Sequence, residues 1–255
     1  MSYIRVKKIV NLLMPMAGRG SRFSKSGYSL PKPLVKLNGK PFFWWSIMSI
    51  SRSVEITTLT CVILKEHIEK FDIDKKILSY FPEARFVILE DVTSGALETA
   101  ISGLKCINND LPVIINDCDH AFEVNKLSES INLLKESENL DGYLCHFKSD
   151  SPAYSYGQYD QSEKLIETVE KRVISNLAIA GAYIFKSKQL VSLYYEEYKN
   201  NCLYDELFIS GLYNFMVSDG KVIKGILLDS HLSFGTPDEL AFASKNNTYT
   251  NWKLQ

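Results

Sequence analysis

KIVNLLMPMAGRGSRFSKSGYSLPKPLVKLNGKP, residues 8–41, is an apolar run that breaks into a glycine-rich, cationic segment. Ile9, Val10, Leu12, Leu13 and Met14 show no clean alternation, which predicts a strand buried on both faces. The run ends at Gly18 and Gly20, with Arg19, Arg22, Lys25 and Lys32 close behind. Glycine lets backbone N–H groups approach an anion, and guanidinium and ammonium groups neutralise it, so the segment suits phosphate oxygens. Two familiar phosphate loops do not fit. The dinucleotide fingerprint needs a third glycine where Phe23 stands, and a Walker-type loop needs a closing Gly-Lys-Ser/Thr that is missing.

Outward from this segment, strand and helix patterns alternate. Pro41 opens a helix over FFWWSIMSISR, whose aromatic residues read as core. TTLTCVILK reads as a strand, residues 65–81 as one amphipathic helix with a solvated His67, and ARFVILE as a third strand. This order predicts an α/β, Rossmann-like and mostly parallel sheet flanked by helices, with ligands beyond the carboxyl ends of its strands. Residues 151–186 change style, with alternating tyrosines and polar turns, and predict antiparallel strands forming a smaller lobe over the substrate side.

A second polar break follows an apolar run in LPVIINDCDHAF: Val113, Ile114 and Ile115 open onto Asp117 and Asp119. Two carboxylates one residue apart after a strand suit a hard divalent cation carrying a phosphate. His120 beside them reads as a solvated loop residue. Before that run, after the third strand, DVTSGALETA reads as a helix start that Glu98 can close as a capping box.

Gly-x-Gly-x-Arg at residues 18–22 followed by Pro-Lys-Pro-Leu at 31–34 resembles the signature of the sugar-phosphate nucleotidyltransferases, the nucleoside-diphosphate-sugar pyrophosphorylases. The resemblance spans about residues 8–245 and implies site roles position by position. Met16, Ala17, Gly18, Gly20, Ser21 and Gly95 would bind the nucleotide, the last in a Thr-x-Gly-x-Ala loop. Arg22 and Lys32 would neutralise the triphosphate. Asp119, with Asp117 as second candidate, would hold Mg²⁺. Gly157, Glu170, Lys171 and Glu206 would face the acceptor. Two positions depart from the pattern: Arg172 stands where the family has a proline, and Ser233 where many members place a second Mg²⁺-binding aspartate, two residues before the glycine of Gly235-Thr236-Pro237.

The implied activity transfers a nucleoside monophosphate from an NTP to a sugar 1-phosphate or similar phosphorylated acceptor, yielding an NDP-sugar for surface polysaccharide synthesis. A nucleotide-sugar-dependent glycosyltransferase shares the Asp-x-Asp but has no use for the glycine-arginine and Pro-Lys pair. A non-catalytic nucleotide-sugar-binding regulator would accommodate Ser233.

With 255 residues, 45% of them hydrophobic, the chain is expected to form one domain, 1–255, its nucleotide-binding core near 1–150 and its acceptor lobe near 151–240. A formal net charge of −1 argues against nucleic acid and anionic membrane surfaces as partners. The five cysteines form no CxxC pair and read as thiols of a reducing compartment. Residues 1–8 precede an apolar stretch with no small-residue cleavage site, so a cytoplasmic protein is expected. A small homo-oligomer is compatible with this reading, though no residue argues for one.

Overall fold

The computed structural model describes residues 9–246, 249 and 252; the N-terminal reading of residues 1–8 lies outside them. The first half of the chain runs β1 (Ile9–Pro15), α1 (Ser21–Lys25), β2 (Lys36–Leu37), β3 (Lys40–Pro41), α2 (Phe42–Ser51), β4 (Glu55–Leu64), α3 (Lys65–Phe71), α4 (Ile73–Leu78), β5 (Arg85–Leu89) and α5 (Ala96–Leu104). Then come β6 (Val113–Asn116), β7 (His120–Glu123), α6 (Leu127–Glu136), β8 (Gly142–Lys148), β9 (Tyr156–Tyr159), β10 (Leu165–Val169) and β11 (Leu177–Phe185). The chain closes with α7 (Lys188–Asn201), α8 (Ile209–Ser218), β12 (Ile223–Leu227), β13 (Ser230–Ser233) and α9 (Pro237–Ala243).

Why β1 lacks alternation is visible in its packing. Val10, Leu12 and Met14 enter one buried cluster and Leu13 the other, so both faces of the sheet are covered. On the first face α2 buries Phe42, Phe43, Trp44 and Trp45, each worth roughly 2–3 kcal/mol by area removed from water. On the second, α5, α7 and α8 contribute Leu97, Leu104, Val191 and Leu212.

Parallel pairing joins β5 to β4, β4 to β1 and β1 to β6. β11 then runs antiparallel to both β6 and β8, and β12 returns parallel to β8. The chain leaves β1 for β4 and β5 on one side and comes back to β6 on the other. The carboxyl ends of β1 and β6 therefore flank a topological switch point, where a crevice opens in sheets of this kind.

The expected antiparallel lobe is part of this same sheet. Ala182–Phe185 of β11 pair with β6, while Ala178, beyond an irregularity in β11, pairs with Tyr156 of β9. The β9–β10 hairpin thus extends the sheet past the carboxyl end of β6, and the residues that flank it, Tyr154, Ser155, Glu170 and Lys171, line the crevice. Gly181 sits at that irregularity with φ +68. β7 and β13 form a separate antiparallel pair.

Two local expectations are corrected. Residues 65–81 form two short helices, because Asp72 takes a left-handed conformation (φ 50) that an Asp tolerates better than most residues. His67 is buried rather than solvated, and burial depresses its pKa.

Candidate functional site

Among the described residues an open cavity of about 700 Å³ lies at the switch point, lined by the loops after β1 and β6 and by the hairpin side of the molecule. Gly20, with φ +60, lets the first loop turn tightly; a Cβ there would stand 3.0 Å from Lys32 Cβ, so the glycine also seats the lysine. Lys32 begins a short 3₁₀ turn anchored by the buried Pro33 and Leu34. Its Nζ lies 2.6 Å from Asp119 Oδ2, the two side chains only 27% and 21% exposed. Burial is the largest single influence on Lys32 and lowers its pKa, but Asp119 together with Cys118 and Asp117 raises it on balance. Asp119 shows the reverse balance: burial would raise its pKa, and the Lys32 ammonium holds it below the usual carboxylate range.

Asp117 is pushed up to about 7, first by burial and then by the charge of Asp119. Burial also pushes the Cys118 thiol up to about 12, so at neutral pH it is no thiolate nucleophile. The loop holding these groups is tied to α2. Ser46 Oγ donates to Asp117 O and accepts from Asn116 Nδ2 at 2.7 Å. Asn116 Oδ1 in turn meets His120 Nε2 at 3.0 Å. His120 is accordingly buried on β7, not solvated as its sequence position suggests, and burial depresses its pKa to about 4.

Of the nucleotide-side residues, Ala17, Gly18, Gly20, Ser21, Arg22 and Gly95 line the cavity. Met16 does not; it is 2% exposed and its N–H donates to Val62 O at 2.8 Å. Arg19, a neighbour in the loop, is paired with Asp91 at 2.8 Å. Gly95 has a structural reason of its own: a Cβ would fall 2.5 Å from Leu207 N, and φ is +153. The expected capping box is present in part, with Glu98 Oε2 accepting from Ser94 N at 2.8 Å.

Glu170, Lys171 and Glu206 line the same cavity. Glu170 Oε1 accepts from Ser210 Oγ, and Lys171 Nζ lies over the Phe208 ring at 5.3 Å. Gly157 does not reach the cavity: a Cβ there would meet the His146 ring at 2.9 Å, which accounts for the glycine by packing. Gly181 fits closely against the acidic loop. Its O accepts from Asp117 N at 2.9 Å, and a Cβ would lie 2.7 Å from Asp117 Oδ2.

The sequence reading missed Ser46, Asn116, Tyr154, His231 and Glu239. Tyr154, His231 and Glu239 line the cavity with Gly235 and Thr236. Asn116 lies within the LPVIINDCDHAF stretch and Glu239 follows Gly235-Thr236-Pro237, but their main partners are distant in the chain: Ser46 meets Asn116 over 70 residues and Tyr154 meets Glu239 over 85.

Fold and cavity together define an α/β protein whose crevice gathers cations from one loop and carboxylates from another. Residues 12–248 match the family model described as nucleotidyl transferase, and the chain belongs to that family. It is 26% identical over 250 residues to the bifunctional protein GlmU of Aliarcobacter butzleri (strain RM4018), a match that takes in 94% of this chain and 54% of the relative. The chain thus spans about half the length of that relative. A solved nucleoside-diphosphate-sugar pyrophosphorylase from Vibrio cholerae RC9 superposes with a TM-score of 0.80 at 25% identity, covering 92% of this chain and 100% of that one. The inositol-1-phosphate CTP transferase of T. maritima shares the fold, with a TM-score of 0.71 at 15% identity over 95% of this chain and 97% of that one.

Proposed function

We propose that this chain transfers a nucleoside monophosphate from an NTP to a phosphorylated acceptor, with sugar 1-phosphates the first acceptors to test. One observation carries the reading: Arg22, Lys32, Asp117 and Asp119 line one cavity together with Glu170, Lys171 and Glu206. An acceptor phosphate oxygen attacks the α-phosphorus as the bond to the bridging oxygen of pyrophosphate breaks. Phosphoryl chemistry of this kind needs positioning and charge neutralisation rather than a protein nucleophile. Arg22 and Lys32 balance the charge that gathers on the departing pyrophosphate. Lys171 draws the acceptor phosphate, and Glu170 and Glu206 accept hydrogen bonds from acceptor hydroxyls. Ala17, Gly18, Gly20, Ser21 and Gly95 border the space left for the nucleotide.

Asp119 and Asp117 offer an all-oxygen donor set, which suits Mg²⁺. Among the described residues no three or more His, Cys, Asp or Glu side chains gather as a ready cage. In this reading Asp119, with Asp117 as the second candidate, would hold the ion, which would supply further neutralisation of the triphosphate.

The proposed product is an NDP-sugar for surface polysaccharide synthesis in the cytoplasm. That compartment agrees with five cysteines outside any disulfide. No helix among the described residues is long and apolar enough to cross a membrane. Pyrophosphate release, assayed with the common NTPs against a panel of sugar 1-phosphates and other phosphorylated acceptors, tests the reading. Mg²⁺-dependent release with one pair is expected; nucleotide binding with no release from any pair would overturn it.

A further inference from the structure

The family resemblance places an aspartate where this chain has Ser233, leaving Asp119 without its usual companion. Ser233 ends β13 and lines the cavity. Its hydroxyl lies near the hydroxyl of Tyr154. The same Tyr154 Oη donates to Glu239 Oε1 at 2.6 Å. Serine and glutamate therefore converge on one phenol oxygen, although they come from a strand and a helix.

Gly235 shows how near this glutamate comes to Asp119. A Cβ on Gly235 would fall 2.2 Å from Asp119 Oδ2 and 3.4 Å from Glu239 Oε2. The two carboxylates face one another across that glycine, and any side chain there would block them. The backbone holds this arrangement: Phe234 N donates to Asp119 O at 2.9 Å, and Glu239 N donates to Thr236 Oγ1 at 3.2 Å, with Pro237 opening the helix. Glu239 Oε2 has no hydrogen-bond or ion-pair partner among the described residues. A second observation marks the same wall as unfinished. His231, also on β13, carries a buried Nε2 with no partner among the described residues, and such an atom ordinarily finds one.

We infer that Glu239 supplies the second carboxylate of the divalent-cation site, replacing the aspartate that Ser233 lacks, with Tyr154 as the residue that positions it. The inference rests on the reading of Asp119 as a cation ligand. A glutamate entering from the first turn of α9 is one methylene longer than an aspartate and can bring its free oxygen to the space that the serine leaves. Mg²⁺ and Mn²⁺ both accept such hard oxygen donors.

Mn²⁺ binding, followed by the electron paramagnetic resonance of the free ion with inorganic pyrophosphate present and absent, reads the site without turnover. Glu239→Gln keeps an acceptor for Tyr154 but removes the charge, and should weaken Mn²⁺ binding roughly tenfold or more. Adding Ser233→Asp to that variant should restore most of the affinity, while Tyr154→Phe should weaken binding less than Glu239→Gln does. Thermal unfolding checks that each variant is folded. Wild-type affinity in Glu239→Gln would overturn the proposal, as would failure of Ser233→Asp to restore it. Absence of Mn²⁺ binding in the wild-type protein under both conditions would instead remove the reading of Asp119, and this proposal with it.

Discussion

Arg22 and Lys32 are both cations of the first loop, yet their surroundings separate what each contributes. Arg22 is exposed and makes no hydrogen bond or ion pair among the described residues. Arg22→Ala should therefore leave stability within about 0.5 kcal/mol while lowering kcat by on the order of 10²–10³, the scale for losing one oriented charge-stabilising donor. Steady-state kinetics and urea unfolding on the same preparation check both halves; unchanged turnover would take Arg22 out of the chemistry. Lys32→Ala should lower kcat similarly but also destabilise the fold, because Asp119 would lose the ammonium 2.6 Å from its Oδ2. Gly95 belongs to this scale too. Its substitution by Ala drives a Cβ to 2.5 Å from the Leu207 backbone at φ +153, which should cost roughly 2 kcal/mol or more in urea unfolding.

At the scale of elements, what was legible in the sequence is what a short window can hold. An apolar run that stops at glycine and cations, or at two carboxylates, announces β1 and β6 and the loops that follow them. The pairing of β9 with β11 at Ala178 cannot be read that way, because tyrosine-rich alternation specifies an antiparallel strand without naming its neighbour. Ser46 is equally hidden: it is one residue in a helix of core aromatics, and its bonds to Asn116 and Asp117 span about seventy positions. Tyr154 and Glu239 are joined over 85 positions. Helix-on-sheet packing gives a test at this scale. Gly103 of α5 lies so close to the sheet that a Cβ would fall 2.3 Å from Leu13 Cδ1 and 2.7 Å from Val62 Cγ2. Gly103→Val gains less than about 1 kcal/mol in helix propensity, whereas overpacking a fully buried contact costs about 1–3 kcal/mol. The variant should unfold at lower urea with an unchanged slope; a gain in stability would show that α5 can move off the sheet freely.

Across the whole molecule, burial sets the charge of every histidine. All four have depressed pKa values, led in each case by burial: His67 by direction, His120 and His146 to about 4, and His231 to about 3. In the unfolded chain each would titrate near 6.5, so below that pH the unfolded state binds more protons than the folded one. Stability from these groups is complete above about pH 6.5 and drains away as pH falls toward their folded values. Asp117 runs the other way, since a carboxyl raised to about 7 favours the folded state as pH falls toward its ordinary value. His146 isolates the effect. It is 1% exposed in β8, with Nδ1 3.3 Å from Ala178 O and Nε2 against the Tyr159 hydroxyl, remote in sequence from the acidic loop. Its shift from 6.5 to about 4 corresponds to roughly 2–3 kcal/mol between pH 7 and pH 4.5, at about 1.4 kcal/mol per pH unit. Urea unfolding at those two pH values should show His146→Gln losing that much less stability on acidification than the wild-type protein does. Because Asp117 and the other histidines are common to both proteins, their contributions cancel in the comparison. Equal acid losses in the two proteins would mean that the folded chain accepts a proton at His146 as readily as the unfolded one.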